Sequence, residues 1–166
     1  IEGDGSVVAL GARGRNRPVG SVACEVTSSP LGSQFRGISS GYAVACGIHH
    51  RRELFLTADG TGLRGEDSFA KVGDLRTPWS LGRFCLRFHL HPSVRWENPV
   101  GKGEVDLVLP SGEIWHFEAR GGQVSVEESI WLATGGKPRK SSQICIRGLI
   151  GRPEQVHWTF RRRVTS

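Results

Sequence analysis

Short segments in which apolar and polar residues alternate recur along this chain. In residues 83–91, RFCLRFHLH, apolar residues take every second position, and a thiol, a guanidinium and two imidazoles lie between or after them. Such alternation is typical of a half-buried strand, because successive side chains point to opposite faces. Similar β-rich segments span residues 21–27, 41–48, 53–57, 104–119, 123–133, 142–150 and 155–164.

These segments are bounded by Gly, Pro, Asp and Ser, and no long stretch repeats its apolar residues with a helical period. Within 104–119, Pro110, Ser111 and Gly112 predict the bend of a hairpin. The pattern as a whole predicts an all-β fold. We expect an antiparallel, jelly-roll-like β-sandwich of roughly ten or more strands, with little or no helix.

The two ends of the chain differ in pattern. Residues 1–18 are rich in glycine and arginine, and we expect a ragged lead-in there that includes disorder. Residues 19–166 are expected to form one domain with a sizeable core. The chain begins with Ile and contains no Met, so we expect a fragment of a longer protein or a trimmed product. No apolar run approaches the length that a transmembrane segment requires.

The formal net charge is +6, and the excess is nearly all arginine. Guanidinium groups bind carboxylate, sulfate and phosphate through paired hydrogen bonds. An anionic polymer is therefore one expected partner class, and a codon usage that favours arginine is the alternative. No nucleic-acid-binding motif accompanies the basic run FRRRV near the C-terminus. We therefore expect no nucleic-acid partner and favour an acidic polysaccharide.

A metal site is one interpretation of the polar face of residues 83–91. His89 and His91 lie two residues apart, so their side chains project in parallel and could share one zinc ion. A third ligand would come from elsewhere: His50, Glu66 or Asp67. The other interpretation, which we favour, is the polar face of a sandwich strand. The four cysteines contain no CxxC pair, so we expect no cofactor, with zinc as the alternative.

Four stretches, in one order, resemble heparinase II/III-like proteins of bacteria. They are GYAVACGIHHRRELFLTADGTGLRGEDSF at 41–69, RFHLHPSV at 87–94, LVLPSGEIWHFEARGGQVSVEESIWL at 107–132 and QICIRG at 143–148. The resemblance implies the C-terminal β-sandwich portion of a polysaccharide lyase. Such a carbon–oxygen lyase cleaves acidic polysaccharide, glycosaminoglycan among them, by β-elimination.

The same resemblance implies an α-helical toroid that supplies a catalytic tyrosine and most of the substrate groove, and no stretch of this sequence resembles it. A family motif of the His-Ala-Asp or His-Ala-Gly type is also missing from the sequence. We therefore expect this chain to be inactive alone and to have the toroid as its partner. A non-catalytic module that binds an anionic glycan is the alternative. The family suggests the periplasm or cell envelope, and the residues leave the cytoplasm open, so the sequence assigns no location.

One basic segment offers contacts to an acidic sugar. His50, Arg51 and Arg52 could hold the uronate carboxylate, whose neutralisation lyase chemistry requires together with a base and an acid. The alternative, which we favour, is that they pair with nearby acids: Glu53, Glu66 or Asp67. Tyr42 is the one tyrosine of the sequence, and we expect it to pack at a sandwich edge.

Aromatic residues and one acidic segment complete the candidates. Trp79 and Trp96 adjoin loop signals and are candidates for exposed platforms on which a sugar ring packs. The other tryptophans, Trp115, Trp131 and Trp158, lie in strand patterns and are expected in the core. For LRGEDSF at 63–69 we favour a turn whose carboxylates meet the arginines, over a metal or sugar contact.

Overall fold

The computed structural model describes residues 8–10, 16–18, 20–43, 47–72, 82–97, 103–132, 136–150 and 155–163. Within these ranges every strand pairing is antiparallel, and no helix there is long and apolar enough to cross a membrane. The strands are β1 (Val8–Leu10), β2 (Asn16–Pro18), β3 (Val22–Ser29), β4 (Gly32–Ser39), β5 (Ile48–Thr57), β6 (Gly62–Lys71), β7 (Arg83–His89), β8 (Arg95–Glu97), β9 (Glu104–Val108), β10 (Ile114–Arg120), β11 (Gln123–Trp131), β12 (Arg139–Leu149) and β13 (Gln155–Arg162).

Two sheets form the body of the fold. The larger has eight strands in the order β3-β4-β5-β6-β13-β10-β9-β8, and the smaller has three in the order β11-β12-β7. β3 to β6 follow one another as hairpins, and β13 returns from the end of the chain to pair with β6. This return brings residues near 158 next to residues near 65, which positions the site described below.

The core lies between the two sheets. Phe84 and Leu86 of β7 pack with Ile144 and Ile146 of β12 in one cluster with residues of the larger sheet. Phe88 of β7 reaches across to three rings of the larger sheet, with centroid distances of 4.8 Å to Trp158, 5.5 Å to Phe117 and 5.6 Å to Phe160. Alternate residues of each strand supply this core, as a period of two requires.

The predicted all-β sandwich is confirmed. The hairpin bend at Pro110–Gly112 is also present, where the Gly112 N–H bonds to the carbonyl of Leu109 at 2.9 Å and Gly112 adopts a φ of 84°. The turn predicted at 63–69 is wrong, because these residues lie within strand β6. Of the lead-in at 1–18, β1 and β2 pair with each other, and the other residues lie outside the described ranges.

The larger sheet extends beyond the smaller one at its β3 edge. All eight residues of β3 are exposed, although Val22 and Val26 are on the face that continues into the core. The register shows this, since Val26 lies opposite Phe35, Phe35 opposite Leu54, and Leu54 packs against the core. Val26 is 65% exposed, so this part of the inner face is uncovered.

Candidate functional site

Four side chains meet on the inner face of the larger sheet. The carboxylate of Asp67 is fully buried and accepts hydrogen bonds from His50 Nε2 at 2.5 Å, Arg52 Nε at 2.8 Å and Trp158 Nε1 at 2.8 Å. A second nitrogen of the Arg52 guanidinium bonds to Oδ2 at 3.1 Å. We call His50, Arg52, Asp67 and Trp158 the Asp67 cluster.

Strand register assembles this cluster. Arg52 and Asp67 are direct partners across β5 and β6, and His50 lies two residues before Arg52 on the same face. Trp158 comes from β13, where it is the partner of Gly65. Glycine is required there, since a Cβ at Gly65 would lie 2.1 Å from the Trp158 ring. The missing side chain lets the indole lie over β6 and reach Asp67.

The negative charge of Asp67 is stabilised by donors within the cluster itself. Burial opposes ionisation of Asp67, but the hydrogen bonds from His50, Arg52 and Trp158 outweigh it and hold the pKa of Asp67 below its ordinary value. The Arg52 guanidinium carbon lies 5.7 Å from the Trp158 ring and 6.0 Å from that of Phe88 in the opposite sheet. The cluster therefore links the two layers of the sandwich.

Arg51 and Arg52 are adjacent and point to opposite faces. Arg51 pairs with Glu53 on the outer face, and Arg36 approaches the same carboxylate at 3.5 Å. The favoured alternative, pairing of these basic residues with acids, is confirmed for His50, Arg51 and Arg52. The structure does not place the three on one surface.

The tryptophan candidates lie elsewhere. Trp79 lies outside the described residues. Trp96, 39% exposed, donates from Nε1 to the hydroxyl of Ser142 at 3.1 Å. It belongs to β8, at one edge of the sheet and five positions from β5 in the strand order. The structure therefore does not bring Trp96 together with His50 or Arg51.

His89 and His91 have separate partners. His89 Nδ1 lies 2.9 Å from the hydroxyl of Ser129. His91 Nδ1 accepts from the N–H and the hydroxyl of Ser93 at 3.2 and 2.6 Å, and its ring packs against Trp131. Across the described ranges, no three His, Cys, Asp or Glu side chains are grouped so as to hold a metal ion. The expected third ligands His50 and Asp67 are bound to each other.

Of the remaining tryptophan predictions, two are confirmed and one is wrong. Trp158 is buried in the core and Trp115 packs against it, as predicted. Trp131 is the exception, because it contacts His91 and Arg139 on the outer face of the smaller sheet. Tyr42 is 47% exposed.

A polar cluster also covers the outer face of the smaller sheet. Glu127 forms an ion pair with Arg147 across β11 and β12, and hydrogen bonds from Arg147 and Ser125 lower the pKa of Glu127 to about 2. The buried Cys145 thiol lies 3.5 Å from the same carboxylate. Burial, with the Cys85 thiol and Glu127 nearby, raises the pKa of Cys145 to about 11. This thiol is therefore protonated at neutral pH and is not an activated nucleophile.

Two features were missed in the sequence. One is a network on β9 and β10, where Asp106 bonds to His116 Nδ1 at 2.8 Å and to Arg163 at 3.0 Å. The other is a groove across the outer face of the larger sheet, formed by two adjoining cavities of about 330 and 320 Å³. Both cavities include His157 and Thr159. The polar residues that alternate with apolar ones in β10 and β13 were the sequence pattern that could have indicated these two features.

Comparison with known proteins decides the family. Residues 1–159 match the family described as heparinase II/III-like, C-terminal. The chain belongs to this family. The resemblance stated from the sequence motifs is thereby confirmed.

Individual relatives of this heparinase II/III-like domain are much longer proteins. FtsZ-localized protein C of Caulobacter vibrioides is 30% identical over 123 residues, which cover 70% of this chain and 21% of that protein. Heparan sulfate lyase HepC of Pedobacter heparinus shares the fold with a TM-score of 0.70 and 9% identity, over 87% of this chain and 22% of HepC. A heparinase III structure shares the fold with a TM-score of 0.63 and 12% identity, over 93% of this chain and 22% of that protein. The chain thus spans about a fifth of these proteins.

Proposed function

We propose that this domain is the β-sandwich portion of a polysaccharide lyase whose full-length form cleaves uronate-containing polysaccharide by β-elimination. Family membership supports the proposal, as does the likeness in fold to proteins named as a heparan sulfate lyase and as heparinase III. In this proposal the domain supports the enzyme and does not supply the reacting groups.

The Asp67 cluster is the main observation in favour of a supporting, non-catalytic role for this domain. Elimination at a uronate needs a cation or donor for the carboxylate, a base for the proton at C5 and an acid for the leaving oxygen. His50 and Arg52 suit these roles chemically, yet both are bonded to Asp67 between the two sheets. Arg51 is paired with Glu53 on the other face. In this proposal these groups stabilise the fold and do not bind the substrate.

The uncovered inner face at β3 supports a role in packing. Val22 and Val26 are exposed on a face that elsewhere forms the core, and such apolar areas mark interaction surfaces. The part of each relative that matches this chain is only about a fifth of that relative's length. We assign this surface to contact with the rest of the full-length protein, the helical toroid that the family implies.

The test uses the full-length protein and the absorbance of unsaturated uronate products. We expect activity on at least one of alginate, polygalacturonate and heparan sulfate. Arg51→Gln should leave kcat and KM within about twofold of the wild type, because a surface ion pair contributes little. A full-length protein inactive on every uronate polymer would overturn the lyase proposal, and a large rise in KM for Arg51→Gln would overturn the supporting role.

A second candidate role comes from the Caulobacter relative. That protein is named for its localisation with FtsZ, and it shares 30% identity over 123 residues. A full-length protein with this role would place a fluorescent fusion at the division site. A uniform envelope or cytoplasmic signal would reject the role without affecting the lyase proposal.

A further inference from the structure

The groove on the outer face of the larger sheet crosses five neighbouring strands, β4, β5, β6, β13 and β10. At about 4.8 Å between strands, this is a path of about 19 Å. The two cavities adjoin at His157 and Thr159, so the path is continuous. Its dimensions suit an extended chain lying across the strands better than a compact ligand.

Two arginines near the middle of the groove have no carboxylate partner in the part of the chain that the structure describes. Arg64 and Arg161 are exposed, and among the described residues neither forms an ion pair. Arg64 lies directly opposite Thr159 across β6 and β13, and Arg161 is two residues beyond Thr159 on the same face. Their Cα atoms are therefore diagonal neighbours, roughly 7–8 Å apart, a separation that long side chains bridge.

This pair of like charges is unfavourable unless an anion lies between them. The Arg64 guanidinium stacks on the Phe55 ring at 4.5 Å, which fixes its plane and leaves its edge for hydrogen bonds. Beneath the pair, the buried Thr159 hydroxyl has no hydrogen-bond partner within the described part of the chain. A buried polar group without a partner is rare.

We propose that this groove binds an acidic oligosaccharide, with Arg64 and Arg161 holding one carboxylate or sulfate group of the sugar chain. Carboxylates along the path, Glu66 and Glu118, accept hydrogen bonds from sugar hydroxyls. Binding of this kind does not depend on cleavage, so the proposal stands apart from the lyase activity of the full-length protein.

The acidic side chains distinguish a glycan from a nucleic acid. Glu53, Glu66 and Glu118 line the groove. Glu53 and Glu118 are paired with Arg51 and Arg120, so Glu66 is the carboxylate that opposes a backbone with one phosphate per nucleotide. The same carboxylates favour a polyhydroxylated chain, since each hydroxyl donates a hydrogen bond that an ionised carboxylate accepts. Alternating acceptors and guanidinium groups therefore fit a polymer in which charged groups alternate with hydroxyls.

The experiment is calorimetric titration of the chain with four probes. These are oligogalacturonate, which carries carboxylates alone, a heparin oligosaccharide, which adds sulfates, a neutral cello-oligosaccharide and a short single-stranded DNA. The variant Arg64→Gln/Arg161→Gln removes the anion contact. The control Arg83→Gln/Arg95→Gln removes the same charge from exposed arginines on β7 and β8 that form no ion pair among the described residues.

We expect at least one acidic oligosaccharide to bind, with affinity that falls as salt rises. The affinity of the groove variant for the acidic oligosaccharide should fall about tenfold or more, as expected for charge-assisted hydrogen bonds. The affinity of the control variant should fall less than about twofold. Arg64→Lys/Arg161→Lys should recover only part of the loss, because lysine keeps the charge but not the fork. The two acidic probes tell carboxylate from sulfate recognition.

Four results would overturn the proposal. The first is an equal loss of affinity in the groove and control variants, which indicates that charge alone determines binding. The second is equal binding of the neutral oligosaccharide, and the third is binding of neither acidic probe. The fourth is tighter binding of the DNA than of the acidic sugars. Circular dichroism and the melting temperature of each variant establish that it is folded.

Discussion

The indole nitrogen of Trp158 donates a hydrogen bond to Asp67 over 2.8 Å, although 91 residues separate them in the chain. The bond joins β13 to β6, the point at which the last strand closes onto the first hairpins. Arg52 and His50 complete the coordination of the same carboxylate. The basic segment at residues 50–52, a sequence candidate for sugar binding, therefore contributes two side chains to the interior of the sandwich.

Asp67→Asn is expected to destabilise the domain strongly. The substitution leaves Arg52 half buried opposite a neutral amide, and the amide cannot accept all the hydrogen bonds that the carboxylate receives. Breaking one side of a buried ion pair costs about 3–5 kcal/mol. Urea denaturation measures the change in the free energy of unfolding.

Glu118→Gln is the matched control for this measurement. It also removes one carboxylate bonded to an arginine, Arg120, but the arginine of this pair is largely exposed. The expected change in unfolding free energy is below about 1 kcal/mol. Equal effects of the two substitutions would show that the Asp67 cluster is no stronger than a surface pair.

Stability should fall on acidification between about pH 4.5 and pH 2. The pKa of Glu127 is lowered from 4.5 to about 2 and that of Asp59 from 3.8 to about 2, while that of Asp67 is also lowered. Each pKa is lower in the folded chain than in the unfolded chain, so the folded state binds fewer protons over this range. The stability that these carboxylates contribute is therefore complete above their unfolded pKa values and is lost as the pH falls through their folded pKa values.

Melting temperature against pH measures this effect. Glu127→Gln should flatten the curve between pH 4.5 and 2, because it removes one of the groups that titrate there. A wild-type melting temperature that stays constant over this range would contradict the hydrogen bonds assigned to these carboxylates.

The cysteines should differ in reactivity. Cys24 is exposed on β3, whereas Cys145 is buried and its pKa is raised to about 11. Since the thiolate is the reacting form, iodoacetamide at pH 7.5 should label Cys24 in the folded chain and Cys145 only on unfolding. Peptide mass spectrometry at successive times measures the labelling rate of each cysteine. Labelling of Cys145 as fast as Cys24 in the folded chain would contradict the burial of the thiol.

Gly65→Ala should destabilise the fold through Trp158. A Cβ at residue 65 would lie 2.1 Å from the indole ring, so the ring must move away from Asp67, at a cost of about 1–3 kcal/mol or more. In a Trp158→Phe background the same substitution should cost less, because the smaller ring leaves space. A double-mutant cycle from urea denaturation gives this coupling, and additive effects would contradict it.

The sequence pattern was sufficient for most of the longer strands and much of the core, but no predicted segment covers β4 (Gly32–Ser39), and residues 41–43 of the segment predicted at 41–48 are not strand. Phe84 and Leu86 alternate with polar residues in the sequence and are buried in the structure. The pattern failed at β6, where Leu63, Gly65, Asp67 and Phe69 share the inward face. A glycine and a buried carboxylate at inward positions interrupt the apolar alternation, so the segment resembled a turn.

The site itself could be predicted only in part. Pairing of Arg52 with a nearby acid follows from two neighbouring strands, since a hairpin brings them into register. Contact of Asp67 with Trp158 depends on the pairing of β6 with β13, and no local pattern specifies which distant strands pair. The groove that holds Arg64 and Arg161 depends on the same long-range pairing.

Release of unsaturated uronate shows directly whether this domain supports a lyase without supplying its reacting groups. The chain alone and the full-length protein are incubated at equal concentration with the same uronate polymers, and absorbance of the product is followed. We expect an increase with the full-length protein and none with the chain alone. An increase with the chain alone, at a rate proportional to its concentration, would show that the domain itself supplies the reacting groups.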